Sequence, residues 1–108
     1  MNKFEAVLLL SPETSNSLLL ENLKNFEETI ENNSGKITNI EDWGLRDLSY
    51  DISNFKKAFY RYYQLEINGS SIQKITKNLN QNDIIIRHLF IKVDKHQELP
   101  TKLNYEKN

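Results

Sequence analysis

The 108-residue chain has no cysteine, three glycines, two prolines and a single tryptophan. Without a thiol there is no disulfide framework, no cysteine-based zinc or iron–sulfur site and no cysteine nucleophile, and the expected compartment is a reducing one, the cytosol. Gly35, Gly44 and Gly69 each stand alone, so the chain carries no glycine-rich phosphate loop. Neither sign of charge dominates: 14 Lys and Arg against 15 Asp and Glu leave a net charge of −1. A stand-alone nucleic-acid-binding domain is usually strongly basic, so any contact with RNA has to be local or shared with another molecule. The apolar runs Ala6 to Leu10 and Ile84 to Ile86 fall far short of the ~20 residues of a membrane span. The opening Met1-Asn2-Lys3-Phe4-Glu5 has an acid where an export signal is positive, and no small-residue cleavage site follows, so export is not expected.

What is present suits one soluble domain: at 38% hydrophobic residues, the chain can form one core that buries roughly 60–70% of its unfolded surface. Phe4 to Leu10 is rich in strand formers and is stopped by Ser11-Pro12, which predicts a first strand. From Ser15 to Asn32, the residues Leu19, Leu23, Phe26 and Ile30 recur at helical spacing and predict a core-facing stripe, with Glu21, Glu27, Glu28 and Glu31 on the outer surface. Asn33-Ser34-Gly35 predicts the stop, with the glycine at positive φ. Lys36 to Leu48 predicts a second strand bent at Trp43-Gly44, and Ala58 to Ile67 a third after a basic bend. Ile72, Ile75 and Leu79 predict a second helix capped at Ser70-Ser71 and ended by Asn82-Asp83. Ile84 to Val93 predicts the last strand. Residues 1–93 thus form one domain, and the polar stretch 94–108, with Pro100 and no periodicity, is expected to be a flexible tail. The order β-α-β-β-α-β implies an α+β, ferredoxin-like fold, a four-stranded antiparallel sheet with both helices on one face.

Catalytic arrangements find little support. His88 and His96 are far apart and lack carboxylate or thiol companions at ligand spacing, so no metal site is expected. The pairs Glu27/Glu28 and Glu41/Asp42 are sequence neighbours that project differently, which suits solvated surface better than paired acid–base chemistry. An acylphosphatase-like enzyme of the same topology requires an arginine in the loop after the first strand, and Leu10 to Thr14 has none. No enzyme activity and no cofactor are expected.

The cations say more than the total charge. Lys56, Lys57 and Arg61 are interleaved with Phe55, Phe59 and Tyr60 without an acid among them. Cations can neutralise phosphates while aromatic rings stack on bases, worth ~1–3 kcal/mol per base. The plain alternative is a solvated hairpin bend with buried aromatic roots. Alternation puts Tyr60 and Tyr62 on the face opposite Phe59, Tyr63 and Leu65, so one set has to lie on the face that the helices leave bare. Arg46 near Trp43, Arg87 and Lys92 on the last strand, and Lys3 on the first complete the candidate binding residues. Trp43 itself suits core packing and partner contact equally.

The segment Glu41-Asp42-Trp43-Gly44-Leu45-Arg46-Asp47-Leu48-Ser49-Tyr50, followed by Asp51-Ile52 and Lys57-Ala58-Phe59-Tyr60, closely resembles the signature of the bacterial small-subunit ribosomal protein S-six family. Lys3-Phe4-Glu5 leading to Leu10-Ser11-Pro12 is similar to that family's first strand and turn, as is Asn82-Asp83 before Ile85-Ile86-Arg87 to its last strand. The resemblance implies a cytoplasmic, ribosome-associated structural protein that binds the central domain of small-subunit ribosomal RNA as a heterodimer with ribosomal protein S-eighteen. The partner's basic surface then supplies much of the phosphate neutralisation. Ser49 and Asp51 depart from the motif's usual alanine and proline, which implies a looser and more acidic hairpin entry. The tail lacks the terminal glutamate run on which some members are modified, so no glutamylation is expected. Two other classes share the topology. An RNA-recognition module is echoed by Lys57-Ala58-Phe59-Tyr60, but Ala58 stands at its glycine position and Arg61 interrupts its aromatic pattern. A small-molecule regulatory domain lacks its ligand-loop glycines here.

Overall fold

The computed structural model describes residues 2–52, 54–80, 82–97 and 99. Its elements are β1 (Asn2–Leu10), α1 (Asn16–Asn32), β2 (Lys36–Ile52), β3 (Phe55–Ile67), α2 (Gly69–Leu79) and β4 (Ile85–Val93). The strands form one antiparallel sheet in the order β2-β3-β1-β4, so β2 and β4 are its edges. This is the ferredoxin-like arrangement that the element order implies.

Alternation in the two central strands builds the core. Phe4, Ala6, Leu8 and Leu10 of β1 and Tyr63, Leu65 and Ile67 of β3 face the helices, where Leu23, Phe26 and Ile30 of α1 and Ile75 and Leu79 of α2 cover them. The helical stripe lies where its spacing places it, with the Phe26 ring 4.9 Å from that of Tyr63. One acid expected on the solvated face is engaged: Tyr63 donates its hydroxyl to Glu27 Oε2 at 2.9 Å. Burial drives the Tyr63 phenol well above its ordinary pKa, and the Glu27 charge adds to the effect.

The helix ends differ from expectation in two places. Ser15 Oγ caps α1 by accepting from the Leu18 amide at 3.3 Å. At the other end the left-handed residue is Ser34, at φ 63°, rather than Gly35. Gly35 is needed for space, because a Cβ there would lie 2.8 Å from both Ile30 Cγ2 and the Ile30 carbonyl. α2 starts at Gly69 and its cap is the extended Asn68, two residues before the expected cap at Ser70-Ser71, and Asn68 makes no side-chain capping bond. Asn82 secures the turn after α2: its Oδ1 accepts from the amides of Ile84 and Ile85 at 2.8 and 3.1 Å, and its Nδ2 donates to Asn22 Oδ1 on α1 at 2.8 Å.

The beginning of the expected flexible tail is bound to the sheet. His96 Nε2 lies 3.2 Å from both the Phe4 and Leu65 carbonyls, and Gln97 donates from its amide to Glu5 Oε2 at 3.1 Å. These partners were invisible to composition because they lie 31 or more residues away in sequence. Apart from Leu99, the tail after Gln97 is outside the described residues, and so is the expectation of flexibility there.

Candidate interface on the uncovered sheet face

The face opposite the helices is built around a bulge in β2. Gly44 takes φ 76°, and the pairing with β3 shifts register between Asp42 and Gly44. Only glycine adopts that conformation at little cost. The Gly44 amide donates to Asp42 Oδ1 at 2.9 Å, which fixes the bend. As a result Trp43 lies over the sheet, stacked on Tyr62 with ring centroids 5.1 Å apart and 12° between planes, and on Tyr60 at 6.3 Å and 27°. Its indole Nε1 donates to Glu41 Oε1 at 2.9 Å. Trp43 is only 6% exposed and Tyr62 2%, so the expectation of a bare aromatic set on this face is corrected. The rings cover one another, and Tyr60 alone of the two tyrosines stays half-buried.

A polar network continues from this stack to the start of the tail. Gln64 Nε2 donates to the Tyr62 hydroxyl at 3.1 Å and to the Gln97 carbonyl at 2.7 Å, while Asn39 Nδ2 donates to Gln64 Oε1 at 3.0 Å. Gln97 Nε2 donates to Glu5 Oε1 at 3.1 Å and to the Tyr62 hydroxyl at 3.3 Å. Burial pushes the Tyr62 phenol up to about 12; the bonds from Gln64 and Gln97 oppose the shift and Glu5 adds to it. Gln64 is buried yet fully partnered, which is the condition for placing an amide under a strap.

Beside the stack lies a groove of about 490 Å³. Val7, Leu9 and Leu89 form its floor, and Trp43, Tyr60 and the Leu48–Ile52 stretch of β2 form its walls. Arg87 Nη1 donates to the Tyr50 hydroxyl at 3.3 Å across it. Tyr50, Leu89 and Ile91 are about half exposed or more, at 65%, 53% and 49%, making this the apolar side of the sheet that the fold leaves unburied.

The candidate residues divide between two faces. Lys3, Arg46, Lys56 and Arg87 share the uncovered face with Trp43, Tyr60 and Tyr62; Lys57, Phe59, Arg61 and Lys92 project to the helix side. Phe59 packs against the core. Lys57 Nζ lies 3.8 Å from Asp47 Oδ1, and Arg61 sits opposite Asp42. Lys56, Lys57 and Arg61 are therefore not one patch, because adjacent residues and odd-spaced residues of a strand point opposite ways. Gln64, Leu89 and Gln97 belong to the face and were not singled out from sequence, whereas Tyr50, which belongs to it too, was. Tyr50 lies within the recognised motif, while the others follow only from tertiary pairing. Among the described residues no His, Asp and Glu cluster could hold a metal ion, and no helix is long and apolar enough to cross a membrane.

A family model described as Ribosomal protein S6 matches residues 3–92. The chain belongs to the ribosomal protein S6 family. It is 32% identical over 96 residues to the small ribosomal subunit protein bS6 of Christiangramia forsetii, covering 89% of this chain and 86% of that protein. The bS6 protein of Blochmanniella floridana is 36% identical over 93 residues, covering 85% and 76%. The crystal structure of 30S ribosomal protein S6 from Thermotoga maritima superposes with a TM-score of 0.81 at 20% identity, over 85% of this chain and 87% of that one. The C-terminal domain of MgtC from Mycobacterium tuberculosis has a TM-score of 0.55 at 7% identity, a likeness of fold alone. Family membership makes this chain a structural, non-enzymatic component of the small ribosomal subunit, located on ribosomes in the cytoplasm.

Proposed function

We propose that the uncovered sheet face docks ribosomal protein S-eighteen and that the pair binds the central domain of small-subunit ribosomal RNA. The observation carrying this reading is the apolar groove beside Trp43, with Leu89 and Ile91 exposed next to it, on a chain whose net charge is −1. Such a chain gains too little from counterion release to hold RNA by itself, and half-exposed apolar side chains gain most from a protein partner. Lys3, Arg46, Lys56 and Arg87 then add phosphate contacts at the rim of the joint surface. A single-strand RNA-recognition module is the weaker reading, since it offers free aromatic faces for stacking, whereas Trp43 and Tyr62 are stacked on each other.

Reconstitution tests the proposal. With S-eighteen present, central-domain RNA should be bound with an affinity that falls steeply as salt rises; without it, this chain should show only weak, sequence-independent binding. Equal RNA affinity with and without the partner would refute the reading.

A further inference from the structure

We propose that Asn68-Gly69, the junction of β3 and α2, is a site of spontaneous covalent modification: the folded chain deamidates at Asn68, and the aspartate formed there caps α2. Asn68 is the one asparagine in the sequence that is followed by glycine. Glycine has no Cβ to hinder its backbone nitrogen as it approaches the preceding side chain. In the first step the Gly69 nitrogen gives up its proton and attacks Asn68 Cγ. The N–Cγ bond forms, the Cγ–Nδ2 bond breaks, and ammonia leaves with that proton. Water then opens the resulting succinimide at one of its two carbonyls. Breaking the new N–Cγ bond restores the normal backbone with an aspartate; breaking the original peptide bond leaves the chain running through the side chain as isoaspartate.

The structure leaves this side chain unheld while it ties down the competing ones. Asn68 is exposed and makes no side-chain capping bond. Serine is the next smallest neighbour, in Asn16-Ser17 and Asn33-Ser34. Asn33 Nδ2 donates to the Thr29 carbonyl at 2.8 Å, and Asn16 lies in a first turn that Ser15 closes by accepting from the Leu18 and Leu19 amides. Asn82 is held by its bonds to Ile84, Ile85 and Asn22. Asn68 is extended, at ψ 135°, so the backbone has to turn before the Gly69 nitrogen and Cγ meet. Across that turn runs the bond from the Ser71 amide to the Asn68 carbonyl at 3.0 Å, and a first helical turn without a side-chain cap frays readily.

The product suits the place where it forms. α2 has no acid in its first turn and a cap position whose side chain is idle. A carboxylate at residue 68 meets the unpaired amides of the helix start and the positive end of the helix dipole, both of which favour an anion. Isoaspartate lengthens the backbone by one methylene and loses that fit. Either product adds one negative charge to a chain of net charge −1.

The test is to age the purified full chain in mildly alkaline buffer and follow it by intact mass and peptide mapping, with an isoaspartyl methyltransferase to report the second product. Asn68 should convert first, to both products, while Asn16, Asn33 and Asn82 stay intact. Gly69→Ala should slow the conversion by roughly tenfold or more. That variant keeps the fold, because Gly69 is not at positive φ and an added Cβ would meet Asn2 Nδ2 at 3.4 Å, an ordinary contact. Asn68→Asp should melt at a higher temperature than the unaged parent. Conversion of Asn68 in urea but not in the native chain would overturn the proposal, as would equal rates in the parent and Gly69→Ala. An unchanged or lower melting temperature for Asn68→Asp would overturn the capping. The free chain is used throughout, so the outcome is separate from whether S-eighteen or RNA binds the opposite face.

Discussion

Ser34 and Gly35 divide a task that helix stops commonly leave to one glycine. Ser34 holds the left-handed conformation, and Gly35 admits the Ile30 side chain and carbonyl. Ser34→Gly should therefore raise stability by about 0.5–1 kcal/mol, the left-handed penalty of an L-residue less the added freedom of glycine. Gly35→Ala should lower it by about 1–3 kcal/mol through overpacking. Urea denaturation of the two variants checks both signs. The buried phenols give a second residue-scale prediction. The folded pKa of Tyr62 is about 12 against 10.0 unperturbed, so the native state keeps its proton where the unfolded state releases it. The associated stability is complete below pH 10, and it is lost as the pH rises from there towards 12. Tyr63 is raised further, so it acts in the same direction. Phenolate absorbance should thus show these two groups ionising late and together with loss of the far-ultraviolet signal; early ionisation of both in a folded chain would contradict the burial.

Among the elements, α1 depends on its buried stripe and β3 on its parity. Leu23→Ala or Phe26→Ala removes a side chain that is 3% exposed and should destabilise the domain by ~2–5 kcal/mol in the same denaturation assay. On β3 the two faces predict different consequences for assembly with partner and RNA. Lys56→Ala should flatten the logarithmic salt dependence by about one unit, the loss of one phosphate contact, while Lys57→Ala and Arg61→Ala on the helix side should leave the slope unchanged. The exposed Lys57–Asp47 pair contributes little to folding in either case. These elements also show what could be read in advance. The α1 stripe, the Trp43-Gly44 bend and the order of strands follow from local periodicity and glycine placement, which the chain spells out residue by residue. The split of Lys56 from Lys57 was implicit in the same alternation, but a count of nearby cations hides it. Gln97 on Glu5 and Tyr63 on Glu27 depend on the packing of segments distant in sequence, for which the residues themselves carry no local mark.

For the molecule as a whole, the helices cover one side of the sheet, α1 with an acidic outer surface and α2 with Lys74 and Lys77, and the other side carries the apolar groove with Arg87 in its wall. Recognition of the S6 motif made this side legible as a place for partners, but not its partial cover of Trp43 on Tyr62 or the returning tail. Leu89→Lys introduces charge into the groove floor and should weaken association with the protein partner at least tenfold, with little change in folding because Leu89 is 53% exposed; titration calorimetry beside thermal melting separates the two effects. The position of β4 at the sheet edge has a further consequence. Its nine residues, Ile85 to Val93, present a row of outward amides and carbonyls with only Arg87, His88 and Lys92 to interrupt apolar side chains. An open edge of this kind is a template for pairing with another chain, and the charged side chains of Arg87 and Lys92 are what stand against it.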